Sequence, residues 1–105
     1  MNYKVEVTSL AKQDTRDYAH FIRDQRAPEA AIRWLNDLQE GIASLASMPE
    51  RFAKIAESDR LRTEYRQFMY FSHRVVYRIE EELKTVYIIR VYHGARNSLM
   101  DLDLE

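Results

Sequence analysis

The hydrophobic periodicities of this 105-residue chain predict an α+β domain in the order β-α-α-β-β-β, with an N-terminal helical hairpin packed on one face of a small, twisted, antiparallel-rich sheet. Three observations carry that prediction. Between Ser72 and Asn97, Val75, Tyr77 and Ile79 alternate with Arg74, Val76 and Arg78, and β-branched and aromatic residues at period two mark a strand. After the acidic stretch Glu80 to Lys84, the run Val86 to His93 is apolar at nearly every position, as expected of a central strand bordered on both sides. In the first half, Ala31, Trp34, Leu35, Leu38, Ile42 and Leu45 recur at steps of three and four, the spacing of one buried helix face.

Each element follows in turn. Asn2 to Thr8 sets Tyr3, Val5 and Val7 against Lys4 and Glu6, a half-buried strand. Thr8 and Ser9 offer caps to a helix from Leu10 to about Gln25, with Leu10, Tyr18, Phe21 and Ile22 on its buried side. Pro28 suits a first helical turn, and Glu29 suits the positive end of the helix dipole. This second helix ends before Pro49, because the residue preceding a proline is biased out of helical geometry. Only Arg26 and Ala27 separate the helices, so they fold back as an antiparallel hairpin covering one sheet face. Glu50 to Arg60 is charged and irregular, with Phe52 and Ile55 tacking it onto the core. A strand resumes from Arg62 to about Phe68, and Met69 to Ser72 turn into the next.

Composition limits the function classes. The length suits a single domain, residues 1–105, and a hydrophobic fraction of 46% suits an ordered globule. No apolar run is long enough to span a membrane, and MNYKVEVTS lacks the apolar core of a signal peptide, so a cytoplasmic location is expected. Without cysteine there is no thiolate metal site and no cysteine nucleophile. His20, His73 and His93 lie far apart with no carboxylate at ligand spacing, so neither a metal nor another cofactor is expected. A formal net charge of −1 counts against extended binding to nucleic-acid phosphates, which draws its affinity from many cations.

Two features stand out as candidate sites. Arg62, Arg66, Arg74 and Arg78 recur through the strands. They read either as a solvated sheet face paired with acids across the strands or as a stripe that contacts a target. The central strand then ends in His93, Gly94, Ala95 and Arg96, where glycine frees the backbone as basic groups appear. His93 reads either as a histidine bonded to backbone or as a chemical group. The tail from Met100 to Glu105 alternates Leu102 and Leu104 with acids, a frayed end or a segment that packs onto something.

The run His73 to Ile79, HRVVYRI, and the ending His93 to Arg96, HGAR, preceded by Leu61-Arg62, Tyr65-Arg66 and a helical hairpin, resemble the RelE/ParE superfamily of bacterial toxins. HGAR is more like the ParE branch. The resemblance covers nearly the whole chain and implies the toxin component of a type II toxin-antitoxin module, neutralised by a cognate, ParD-like antitoxin. Its ParE branch implies inhibition of DNA gyrase without intrinsic catalysis. Its RelE branch implies a ribosome-dependent mRNA endoribonuclease, and a third possibility is a non-toxic interaction module bound to its antitoxin. On the nuclease reading, Arg74 matches a phosphate-stabilising arginine and His93 a proton-transferring histidine. The tyrosine that follows that histidine is here Gly94, and the lysine-rich clusters of RelE proteins are missing. The ParE-like reading is therefore favoured, with Arg62, Arg66, Arg74 and Arg96 as target contacts. The antitoxin is expected to lie across the helical hairpin and the sheet, masking the arginines.

Overall fold

The computed structural model describes residues 2–57, 61 and 63–93, the side chain of His93 excepted. Arg62, Gly94, Arg96 and the tail Met100 to Glu105 lie outside the described residues. The observed order is β1 (Lys4–Val7), α1 (Ser9–Gln25), α2 (Pro28–Ala43), two 3₁₀ turns (Ser44–Ala46 and Pro49–Arg51), β2 (Arg66–Tyr70), β3 (His73–Glu80) and β4 (Thr85–His93). Among these residues the strands form one four-stranded sheet in the order β1-β4-β3-β2, with β1 parallel to β4 and the other pairs antiparallel. The α+β order and the central position of β4 are those the periodicities predict.

Thr8 fixes the first corner. Its hydroxyl accepts from the Ala11 amide (3.3 Å), capping α1, and lies within donating distance of the Ile88 and Ile89 carbonyls of β4 (2.8 and 3.1 Å). The Thr8 amide also donates to the Ile88 carbonyl (3.1 Å). One residue thus starts the helix and ties that start to the central strand. At α2, Pro28 occupies the first turn as expected, while the N-cap residue Ala27 supplies no side-chain acceptor. The α2 pattern tightens into 3₁₀ geometry after Ala43, and this turn seats Leu45 with no solvent exposure.

Helices and sheet enclose a core of Ala11, Leu38, Ile42, Leu45, Val75, Tyr77, Val86, Ile88 and Val91. Removing a large aliphatic side chain of this kind from water contributes about 1.5 to 3 kcal/mol as a transfer term. Ile88 and Val91 are three residues apart, yet both face the helices, which regular alternation forbids. A β-bulge resolves this. Val76 pairs with Arg90 but Tyr77 with Ile88, so Ile89 is an extra residue on β4 and turns to the opposite face.

That opposite face is not left to solvent. Ala53 to Ile55 runs beside the start of β2, with the Gln67 amide donating to the Ala53 carbonyl (3.3 Å) and the Ile55 amide to the Tyr65 carbonyl (3.0 Å). Ile55 and Tyr65 then close with Val76, Ile89 and Tyr92 into a second core, bordered by Leu61 and Tyr87. The expectation that Phe52 and Ile55 tack this segment onto the molecule holds, and Ile55 and Glu57 also cover part of the sheet's opposite face. β2 starts at Arg66 rather than Arg62, and the β2-β3 turn is only Phe71 and Ser72.

Tyr77 is fully buried and donates its phenol hydrogen to the Pro49 carbonyl, which locks the second 3₁₀ turn against β3. Burial pushes this phenol up to about 12, opposed in part by the charges of Arg66 and Arg51. The native state therefore keeps a proton that an unfolded chain loses near pH 10. This contribution is complete below pH 10 and fades as pH rises toward 12, removing about 2 to 3 kcal/mol. Urea titrations at pH 8 and pH 11.5 are expected to show that loss. Tyr77→Phe is expected to cost about 1 kcal/mol at pH 8, through the orphaned Pro49 carbonyl, and to flatten the alkaline fall.

Candidate functional site

The sheet arginines are the natural place to look for a site, and most of their hydrogen-bonding capacity is directed inward. Arg74 donates through Nε to the Gln67 side chain (2.6 Å) and through both terminal nitrogens to the Glu57 carboxylate (3.1 and 3.0 Å). This bidentate pair is enclosed, its side chains 12% and 7% exposed. Arg66 donates to the Phe52 and Glu50 carbonyls (2.7 and 3.2 Å), holding the end of the second 3₁₀ turn. Arg78 lies over the Tyr87 ring (4.4 Å) and beside Glu80 (3.4 Å). The expected solvated arginine face is thus corrected for Arg66 and Arg74. The segment around Glu57 roofs that side, and Arg74 takes its acid from this loop instead of from a neighbouring strand.

A fourth arginine, Arg90, was not singled out by sequence. Its Nε and one terminal nitrogen donate to the two Asp14 carboxylate oxygens, both at 2.7 Å, and its guanidinium stacks over Tyr92 (4.3 Å). Asp14 also accepts from the Val91 amide (2.9 Å). The register of β1 ends with Val7 opposite Ile88, so beyond that point a carboxylate from α1 replaces the missing strand. An arginine within an otherwise apolar strand was the available signal, because a charge placed there requires a partner.

Of the remaining candidates, His93 is the last residue of β4 and pairs with His73. His73 is 2% exposed, with its ring against Tyr18 (4.2 Å) and Trp34 (5.4 Å). It is a packed histidine beneath the hairpin. His20 lies on the outer part of α1, near Arg23 (3.5 Å). Among the described residues no three His, Asp or Glu side chains come together to hold a metal ion, and no helix is long and apolar enough to cross a membrane.

Cations without a carboxylate partner are found on the hairpin instead. Among the described residues, Lys12, Arg26 and Arg33 make no side-chain hydrogen bond or ion pair, and Arg16 meets the Gln13 amide oxygen. Lys12, Arg16 and His20 rim a groove of about 420 Å³ floored by Leu35, Leu38 and Ile42, and no carboxylate lines it. A second groove, about 430 Å³, lies between the hairpin and the β2-β3 turn, with Arg26 and Arg33 at its rim and Trp34 and Tyr70 within. Burial, reinforced by the charge of Asp37, holds the Tyr70 phenol above its usual value. The phenol donates to the Trp34 carbonyl (2.9 Å).

The Arg74-Glu57 pair makes a definite prediction about stability. Glu57→Ala leaves a guanidinium buried without its counter-charge and is expected to cost about 3 kcal/mol in denaturant titrations. Replacing both partners, as Arg74→Leu with Glu57→Leu, is expected to restore most of that loss, because no buried charge remains.

Comparison with known proteins bears on the same architecture. The family model described as the ParE toxin of the type II toxin-antitoxin system, parDE, matches residues 5–98. No curated protein matches the chain. Among solved structures, the chromosomal ParDE toxin-antitoxin system from P. aeruginosa has a similar chain at 17% identity and TM-score 0.71, covering 87% of this chain and 95% of that one. The RelBE2 toxin-antitoxin complex from Mycobacterium tuberculosis matches at 24% identity and TM-score 0.58, covering 91% and 95%. The archaeal RelE-RelB complex from Pyrococcus horikoshii matches at 17% identity and TM-score 0.57, covering 92% and 100%. The helical hairpin on a mixed four-stranded sheet is the fold these toxins share, and with a family model spanning nearly its whole length this chain belongs to the ParE toxins of type II toxin-antitoxin systems.

Proposed function

We propose that this toxin acts on DNA gyrase in the cytoplasm and is held inactive by a cognate antitoxin. The observation that carries the choice of target is the engagement of Arg74. A ribonuclease of this fold must aim cations at the charge developing on a phosphate, and Arg74 is already bound at two nitrogens to Glu57 and at its third to Gln67. Arg66 is likewise committed to two carbonyls. A net charge of −1 also suits a protein target better than ribosomal RNA.

The antitoxin is assigned to the groove rimmed by Lys12, Arg16 and His20. Its apolar floor and carboxylate-free lining suit the apolar face of an acidic amphipathic helix. The three solved relatives were crystallised as, or named for, toxin-antitoxin pairs.

The test sets purified gyrase beside programmed ribosomes. Supercoiling by gyrase is expected to fall in the presence of the full chain, while ribosome-bound mRNA stays intact. Cleaved mRNA with unaffected gyrase would transfer the assignment to the nuclease reading, and harmless expression in growing cells would leave only an interaction module. The paired Arg74→Leu, Glu57→Leu variant and the single His93→Ala variant are expected to remain toxic in a growth assay. Loss of toxicity in both, with folding preserved by circular dichroism, would argue for catalysis.

A further inference from the structure

The β2-β3 turn contains the least expected side chain in the molecule. Phe71 is the first of its two residues and has φ 53°, in the left-handed region. A two-residue turn with positive φ at its first position favours glycine, and a bulky aromatic residue there is strained. Packing does not compensate, because Phe71 is 79% exposed. Across the groove Phe21 is 53% exposed. Between them the rings of Tyr70, Trp34 and Tyr18 continue without a gap, at centroid separations of 4.8 Å from Phe71 to Tyr70, 5.8 Å from Tyr70 to Trp34, 5.1 Å from Trp34 to Tyr18 and 5.5 Å from Tyr18 to Phe21.

Aromatic surface held open in this way beside two guanidinium groups has the composition of an interface centre, where aromatic residues and arginine are enriched. We propose that the groove bounded by Phe21 and Phe71 is a docking site for a short acidic peptide segment of a partner protein, with one large apolar side chain seated on Trp34 and Tyr70 and flanking carboxylates on Arg26 and Arg33. The charges favour this occupant. Among the described residues Arg26 and Arg33 meet no carboxylate, and the N-cap residue of α2, Ala27, makes no side-chain cap bond. Glu29 in the first turn of α2 and Asp37 farther along the groove limit the positive field to one end. That suits a few carboxylates and disfavours the continuous polyanion of a nucleic acid. The site is separate from the Lys12 groove and does not depend on gyrase being the target.

The experiment uses the full chain and an array of dodecapeptides, each with a single Leu, Phe or Trp between aspartates, alongside lysine-flanked versions of the same sequences. Saturable binding by fluorescence anisotropy is expected for aspartate-flanked members, falling at least tenfold with Arg26→Glu plus Arg33→Glu. Phe71→Gly is expected to weaken binding at least tenfold while leaving the thermal midpoint unchanged or raised, because glycine accepts the left-handed conformation. A residue serving only the fold would lower that midpoint instead. Equal binding of lysine-flanked peptides, no binding by any member, or tighter binding of oligo(dT) would overturn the proposal. So would a concentration-dependent dimer, seen by size exclusion with light scattering, that Phe71→Gly abolishes.

Discussion

Everything in this fold hangs on how the outer edge of β4 is closed once β1 has ended. β1 pairs only as far as Val7, while β4 continues to His93. A buried strand cannot leave its amides without partners, and α1 supplies what a strand would have supplied. Thr8 engages the Ile88 and Ile89 carbonyls where the register slips, and Asp14 takes the Val91 amide together with Arg90. These contacts fix where α1 starts and how it lies along β4, and with α1 placed, α2 and the Trp34 cluster follow. The bulge at Ile89 belongs to the same arrangement, since it lets Ile88 and Val91 share the helix-facing core while Ile89 joins the opposite one.

Closing both faces of the sheet with so short a chain changes what its arginines do. A guanidinium beneath a roofing loop requires acceptors, because burying a charge without a partner costs several kcal/mol. Arg66, Arg74 and Arg90 accordingly meet carbonyls, Glu57 and Asp14. They fasten the 50–57 segment and α1 to the strands. Among the described residues, Lys12, Arg16, Arg26 and Arg33, which meet no carboxylate, lie on the hairpin. These cations, left without an acid among the described residues, thus lie on the helices that cover the sheet.

Much of this architecture is legible in the chain before any coordinates. The α2 stripe, Pro28, the two-residue link at Arg26 and Ala27, and the alternation around Val75 each depend on neighbours a few residues away, and local spacing reports such neighbours directly. What was missed depends on distant partners. Glu57 sits among other charges in the 50–60 stretch, and nothing local marks it as the one carboxylate drawn beneath the loop to Arg74, seventeen residues on. The bulge is equally silent, because Val86 to Ile89 is apolar on both faces and an extra residue leaves such a run unchanged. Sequence spacing places Phe71 in a turn, but only its backbone angle and exposure reveal that its conformation suits glycine.

The roofing loop also decides what chemistry the sheet is able to offer. Arg74 is held by a side chain from outside the sheet, so its availability is set by residue 57 and not by the strand that carries it. With a carboxylate there, the guanidinium is satisfied in place, and taking up a phosphate means first giving up a bidentate pair in a largely enclosed position. With a neutral side chain there, the same strand would present an arginine whose terminal nitrogens still needed an acceptor. Within one unchanged backbone, a single position in an irregular, charged loop therefore separates an arginine that fastens the fold from one able to bind an anion. The HRVVYRI run alone cannot distinguish the two, because the deciding residue lies outside it.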